Sequence, residues 1–491
     1  MVLSELGSKI LSGSFWTLLM RWFSRILGVI SVIILARVLV PEDYGLVAQA
    51  VLFSSVLELM TQFGFATALI RNKDATVAQY HTVWTLSVLR GLFLALVVLA
   101  GAGWVSEFFA EPRIYPLILV YALVIFINGL INVGVVDFQR NMQFDKDFKL
   151  NMLSRLAAFV VTLGIALVYR SYWAFPLGSL AGALVKLYAS FTMSVFRPVF
   201  SLREFSSIFL FSKWFFLYES FSAMATKLDT FLLSKWGSAQ ELGLYTVSYE
   251  ISGMPSTEIA MPVARAALPA LAQKADSLDE FRQLYTQVLV SVLFIAIPAC
   301  VGLSVLADQL VLLLLGASWV GAAVFIKILA FIGISRVNVS CAVSALAAIG
   351  KADVLGRYSF IMLLVKSSAM ALGMYFYGAI GLAFGALGAS VLGMVLIHLL
   401  QSRMALVSFT GLWQGLWRVC FASAVMWVTL YGVAKQAAYW DLAVIWLTLS
   451  LVMLGVLLFG SVLLLLCACQ RWPNGPEQQL WQLIRTKVMG K

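Results

Sequence analysis

Histidine is nearly absent from this sequence: only His81 and His398 occur, and nothing near either has the spacing of a zinc site or of an activated nucleophile. No Gly-rich phosphate loop of the ATPase type is present, so any transport is not driven by nucleotide bound to this chain. The five cysteines, Cys300, Cys341, Cys420, Cys467 and Cys469, are odd in number and lie in or beside apolar runs, which argues against a disulfide framework and for small buried hydrophobes. Charge is scarce as well: Asp, Glu, Lys and Arg make up 12% of the chain against 62% hydrophobic residues, which excludes a soluble protein with an ordinary surface. The first apolar run, residues 13–39, is too long for a signal core and lacks a small-residue cleavage site, so it is expected to be retained as a helix. The alternation of a membrane barrel is absent too.

What remains is a series of apolar runs with a mean hydropathy of +0.95. A hydrocarbon core about 30 Å thick calls for helices of about 20 such residues, which satisfy their backbone groups internally. The runs predict an all-α integral membrane protein of about 14 transmembrane helices, near 13–36, 44–69, 80–106, 115–137, 148–169, 173–196, 207–233, 243–268, 284–307, 320–349, 355–377, 380–402, 414–434 and 441–469. Pro255, Pro262 and Pro269 in the eighth and Pro298 in the ninth mark candidate bends, with simple packing kinks as the competing account.

The stretch Leu35-Ala-Arg-Val-Leu-Val-Pro-Glu-Asp-Tyr-Gly45 returns without a gap 198 positions later as Leu233-Ser-Lys-Trp-Gly-Ser-Ala-Gln-Glu-Leu-Gly243. Arg37 falls on Lys235, Asp43 on Glu241, Gly45 on Gly243, and upstream Ser14 and Trp16 fall on Ser212 and Trp214. Each copy reads as an apolar helix ending in a cation, a polar turn, and a Gly opening the next helix; Pro41 stops the first helix, and Glu42 and Asp43 suit the positive end of the second. Two copies of one bundle follow, a construction common in transporters. The expected organisation is two pseudo-symmetric six-helix lobes, 1–200 and 201–404, a further helix pair at 405–470, and a cytoplasmic amphipathic tail at 471–491. The tail's Leu480, Trp481, Ile484 and Val488 oppose Arg485 and Lys487, a pattern that lies on a membrane surface.

Of the 34 basic residues, 19 fall on one set of connections, among them Arg71, Arg140, Arg203, Arg282, Arg403 and Arg418. Five fall on the other: Arg37, Arg113, Arg170, Lys235 and Lys435. That asymmetry over short loops places both termini in the cytoplasm. Ten cations remain within the helices. At roughly 2.5–3.5 kcal/mol for each charge at the bilayer centre, they must face protein or water. Arg155, Lys227 and Lys327 suit snorkelling toward a helix end. Arg21 and Arg25 are one turn apart and well inside the first span, a paired cationic face suited to a large anion. Arg90, Lys186, Arg265, Arg336 and Lys366 could converge with them on a lumen, pairing with acids being the rival account. The acids are Glu58, Glu219, Asp229, Glu250 and Glu258. Their shortage leaves positive charge for a phosphate or pyrophosphate, held by bidentate Arg and point-charge Lys. An unneutralised acid among them would be a site for H+ or Na+, with Glu58 first. Asp145-Lys-Asp147 has a spacing used for metal and sugar nucleotides, yet in a basic loop it reads as a solvated turn. No catalytic, metal or cofactor site, and no nucleic-acid site, is assigned.

Ile34-Leu-Ala-Arg-Val-Leu-Val-Pro-Glu-Asp-Tyr-Gly45, Phe63-Gly-Phe-Ala-Thr-Ala-Leu-Ile-Arg71 and Arg140-Asn-Met-Gln-Phe144 resemble signature stretches of the polysaccharide transport family, the Wzx-type oligosaccharide flippases of the multidrug/oligosaccharidyl-lipid/polysaccharide exporter superfamily. Leu228-Asp-Thr-Phe-Leu-Leu-Ser234, Leu242-Gly-Leu-Tyr245 and Pro262-Val-Ala-Arg-Ala-Ala-Leu-Pro269 continue the likeness, which covers about residues 10–400. The resemblance implies a V-shaped, two-lobed, non-enzymatic carrier in the bacterial inner membrane. It would move undecaprenyl-pyrophosphate-linked oligosaccharide between leaflets by alternating access, with H+ or Na+ as coupling ion, among membrane lipids and in contact with polysaccharide polymerase and chain-length machinery. Arg265, Arg336 and Glu58 match family positions; Gln62 departs from an acid that relatives often carry before Phe-Gly. The alternatives are a cation-coupled drug antiporter of the same superfamily, which predicts an acidic lumen, and a membrane polysaccharide polymerase or ligase, which usually carries a large outer loop.

Overall fold

The computed structural model describes residues 2–61, 75–205, 224–260, 277–349, 351–404, 409–437 and 443–470, together with 69, 271, 274, 406 and 407. Their regular structure is helical, and they divide into two compact units, Met1–Gly243 and Leu244–Lys491.

In the first unit α1 (Val2–Val38) is followed by α2 (Pro41–Met60), α3 (Val77–Phe108), α4 (Ile114–Gly129), a short α5 (Val136–Arg140), α6 (Phe144–Tyr169) and α7 (Ala174–Met193); residues 224–236 are also helical. The core gathers Leu46 and Ala50 of α2, Leu94 and Val98 of α3, and Leu117, Ile118 and Tyr121 of α4. The continuous run at 115–137 predicts one straight span, but α4 ends at Gly129 and the chain turns by 65° into Val133–Arg140. Asn132 holds the turn: its Oδ1 accepts from Gly134 N–H at 2.8 Å, and its Nδ2 donates to the Phe196 carbonyl at 2.7 Å. A side chain that satisfies the backbone locally offers an alternative to the helical bond.

The second unit contains α8 (Ala239–Met254, beginning just before the division), a π-turn at Pro255–Ala260, α9 (Leu278–Val305), the short α10 (Ala307–Leu314), α11 (Ala322–Ala348), α12 (Ala352–Arg403), α13 (Phe409–Ala437) and α14 (Val444–Cys469). Pro255, predicted as a bend, opens that π-turn, and the Ser256 and Thr257 hydroxyls donate to the Gly253 carbonyl at 2.8 and 3.0 Å. Pro298 lies inside α9, whereas Pro262 and Pro269 lie outside the described residues. α12 is two helices joined at Tyr377 and Gly378, where φ of +61° requires a residue without Cβ, close to the predicted break between 377 and 380. Among the described residues nine helices are long and apolar enough to cross a membrane, or ten counting the bent pair as one span. The chain is a multi-pass membrane protein. The tail from 471 lies outside the described residues.

The two copies of the repeated turn are capped alike. Asp43 Oδ2 accepts from Val40 N–H at 3.1 Å, and at the matching positions Glu241 Oε2 accepts from Ser238 N–H at 2.9 Å. They also meet each other within the first unit. A Cβ on Gly45 would run into the Ala239 backbone, and one on Gly243 into the Pro41 backbone. Residue 239 is the counterpart of residue 41 in the repeat, so the contact is reciprocal, as at a local two-fold axis.

Arg113, in the connection after α3, bonds Glu42 at 2.7 Å and Glu111 at 2.8 Å. Those bonds hold the Glu111 carboxyl below its usual range. A depressed carboxyl contributes stability above its unfolded pKa and loses it as pH falls through the folded one. Exposed pairs are worth at most about 1 kcal/mol. Arg113→Ala is therefore expected to lower Tm by no more than about 2–4 °C at pH 7, with the effect shrinking as pH falls below the usual glutamate range and through the depressed pKa of Glu111, in thermal unfolding of the detergent-solubilised protein.

Candidate functional site

Each apolar helix that carries a cation must give it a partner or a wet face. Arg21 and Arg25 lie on α1, both partly exposed and one helical turn apart. α1 packs against α6, with the Trp16 and Phe148 rings 5.2 Å apart. Arg90 on α3 and Glu58 on α2, predicted as a substrate cation and as an ion-coupling acid, are brought together. The guanidinium Nη2 is 3.5 Å from the Glu58 carbonyl oxygen, and the opposite side-chain charges interact. Lys186 on α7 interacts electrostatically with Asp147 and with the like-charged Arg155, both on α6. Asp147 also accepts from Gln139 at 3.2 Å and Asn151 at 3.0 Å, so the Asp145-Lys-Asp147 stretch works in local hydrogen bonding.

In the second unit the Arg336 guanidinium on α11 stands 5.0 Å over the Tyr249 ring of α8, a cation–π contact that partly compensates for lost hydration. The two line a narrow cleft with Ser252, Gly253, Leu329, Ile332 and Gly333. Lys366 is partly exposed on α12, and Glu250 is exposed on α8. Glu258 in the π-turn accepts from the Thr257 hydroxyl at 3.0 Å. Asp229, in the first unit and 5% exposed, accepts from Thr230 N–H at 2.8 Å. Arg265 and Glu219 lie outside the described residues.

Two other cations have structural partners. Lys327 on α11, expected to snorkel toward a helix end, makes a 2.7 Å ion pair with Asp308 on α10. Arg418, which the sequence places with the cytoplasmic connections, lies inside α13, is 3% exposed, and donates to Gln470 at 3.0 Å. Tyr249 was not anticipated as a site residue, and nothing local signals it, since its partner is far away in sequence. Tyr80 is another: it bonds Asp137 and accepts from Arg140 at 3.0 Å, tying the start of α3 to α5.

A multi-pass chain in two units, whose regular structure among the described residues is helical, with cations inside its apolar helices and no metal-ligand cluster among those residues, has the build of a membrane transporter. The chain belongs to the polysaccharide biosynthesis protein family, whose model matches residues 34–324. It is 23% identical to the lipopolysaccharide biosynthesis protein WzxC of Escherichia coli (strain K12), over 82% of this chain and 83% of that one. It is 25% identical to the succinoglycan biosynthesis transport protein ExoT of Rhizobium meliloti (strain 1021), over 74% and 73%. In fold it resembles the lipid II flippase MurJ in an inward closed conformation, with a TM-score of 0.72 at 15% identity over 93% of this chain and 99% of that one. A multidrug resistance MATE family transporter of the MOP superfamily, inward-facing, follows with a TM-score of 0.60 at 13% identity over 78% and 94%.

Proposed function

We propose that the protein is a flippase, not an enzyme, that carries undecaprenyl-pyrophosphate-linked oligosaccharide repeat units from the cytoplasmic to the periplasmic leaflet of a bacterial inner membrane. It would work by alternating access and supply exopolysaccharide, capsule or lipopolysaccharide synthesis. The observation that carries the reading is the excess of cations within apolar helices, in a chain whose relatives are named for polysaccharide biosynthesis and transport. A pyrophosphate needs such charge while its lipid tail stays in the bilayer. The proposal includes 14 spans, six-helix lobes at 1–200 and 201–404, the pair at 405–470, cytoplasmic termini, and Arg21, Arg25, Arg90, Lys186, Arg265, Arg336 and Lys366 as the anion-binding face. Glu58 interacts electrostatically with Arg90, which would couple this candidate ion-binding acid to the anion-binding face.

Removing the protein is expected to leave lipid-linked precursor on the cytoplasmic leaflet and to stop surface polysaccharide export, read by leaflet-specific labelling of the precursor and by polysaccharide yield. Normal crossing in a strain shown to lack any second flippase would defeat the reading. Lys327, held by Asp308, serves as an internal control: Lys327→Gln should restore export to within about twofold of wild type, because a half-exposed ion pair contributes little.

A further inference from the structure

The second unit is held by an apolar core that includes Leu289, Leu293, Val337, Cys341 and Ile397. Inside it lies a polar cluster that the cationic face does not use. Asn338 on α11 is 2% exposed, and its side-chain nitrogen lies 2.9 Å from Nε2 of His398 on α12. One turn further along α12, Gln401 is fully buried and donates through Nε2 to the Tyr285 hydroxyl of α9 at 2.9 Å. Each amide thus has its nitrogen placed and an oxygen left over: Asn338 Oδ1 and Gln401 Oε1 are buried with no hydrogen-bond partner. An unmet buried acceptor is costly, because it has given up its water without a replacement donor. One of them belongs to the amide that meets the imidazole and the other to a residue one turn along the same helix, and both call for a donor.

We infer that Asn338, His398 and Gln401 form a proton-binding site within the second unit, with His398 as the group that takes the proton and the two amide oxygens as its acceptors. In the neutral state the Asn338 amide donates to Nε2, which leaves the ring proton on Nδ1. A proton from the cytoplasmic aqueous phase forms an N–H bond at Nε2 and the ring becomes a cation. Asn338 rotates its amide so that Oδ1 accepts that N–H. Nδ1–H then finds Gln401 Oε1 one turn along the same face. No electron or other atom is transferred. His398 is five residues from Arg403 in the last turn of α12, about 7.5 Å along the axis, within reach of the membrane surface. The titratable groups around the cluster are Tyr285 on α9, Cys341 on α11, which interacts with Tyr285, and Tyr358 on the first half of α12, which donates to the Gly393 carbonyl at 3.2 Å. The nearest cations in sequence are Arg336, about 200° around α11 and directed at Tyr249, and Arg357 and Arg403 on α12. None of the five carboxylates proposed for ion coupling is in this list, so the site adds a proton acceptor of a different kind.

Because the chain has two histidines, the test is direct. The full chain, labelled at the imidazole nitrogens of histidine and placed in lipid nanodiscs, is titrated from pH 8.5 to 4.5 by NMR. The His398 signals are those that His398→Gln removes and His81→Gln keeps, so either variant suffices for assignment if the other fails to fold. The expected result is conversion of the His398 ring from neutral to imidazolium, with proton affinity reduced about tenfold in Asn338→Leu, which removes one acceptor of the charged form. A ring that stays neutral across the range, as it would if the leftover acceptors held only a buried water, overturns the site; so does an Asn338→Leu titration equal to wild type.

A role for this proton in driving transport rests on the flippase reading, and the two fail separately. Precursor flipping with the same pH dependence in His398→Gln as in wild type would overturn the coupling and leave the flippase intact. Normal precursor crossing without the protein would overturn the flippase and leave the proton site standing on its titration.

Discussion

Gly45→Val, and independently Gly243→Val, should abolish accumulation of folded protein. A Cβ at Gly45 would come within 3.0 Å of the Ala239 Cα and closer still to its carbonyl; one at Gly243 would come within 3.0 Å of the Gly45 nitrogen and closer to Pro41. The obstructing atoms are backbone, which cannot rotate away as the tip of a side chain can, so the two turns must separate. Added methyl groups in a tight site cost about 1–3 kcal/mol each, and Val brings more than one. Against a total stability of roughly 5–15 kcal/mol that is a large fraction. Gly45→Ala and Gly243→Ala should show the same loss in smaller degree, and the two should match because the contact is reciprocal. Gly28→Ala is the control: nothing lies within 4 Å of its missing Cβ, so the variant should be neutral or up to about 1 kcal/mol more stable through helix propensity. Detergent melting curves followed by size-exclusion chromatography would show both outcomes. Equal stability of Gly45→Val and wild type would mean that the turns do not interlock.

Arg21→Ala combined with Arg25→Ala should leave the protein folded and stop precursor flipping. Both side chains are partly exposed, so their removal opens no large cavity in a packed core. Each charge-assisted hydrogen bond to a phosphate oxygen is worth roughly 1.5–3 kcal/mol, and losing two corresponds to an affinity loss of about 10²–10⁴. Lys at both positions keeps the charge and loses the bidentate geometry, so it should restore flipping only in part. Export measured in a strain lacking the chromosomal copy, beside the amount of protein in the membrane, separates a transport defect from a folding defect. Full export by a normally expressed double Ala variant would remove the pair from the anion-binding face.

How far the sequence could be read depended on the kind of interaction. The apolar runs located the helices because chain partition into lipid is a local, additive property of about 20 residues. Even the break near Gly378 showed as a gap between two runs. The bend after Gly129 did not show, since hydropathy continues through it and the cause is one amide, Asn132, bonding a segment 64 residues away. The repeat at 198 residues was legible, and its reciprocal glycine contact was not, because matching positions do not say whether the copies touch. Among the charges, the excess of cations could be counted, but Lys327 could not be assigned to Asp308, nor Arg336 to Tyr249. His398 read as isolated because Asn338, on another helix, joins it only through helix packing.

By itself the sequence determined residence in the membrane, the positions of most helices, the duplicated turn and the surplus of positive charge within apolar segments. These follow from composition and spacing, which act through the solvent that each stretch prefers. Only the tertiary structure decided which charge meets which partner, where the two turns interlock, and which buried amides keep a spare oxygen. Those depend on how each helix is rotated about its axis, and that rotation is set by the packing of neighbours rather than by the run's own residues.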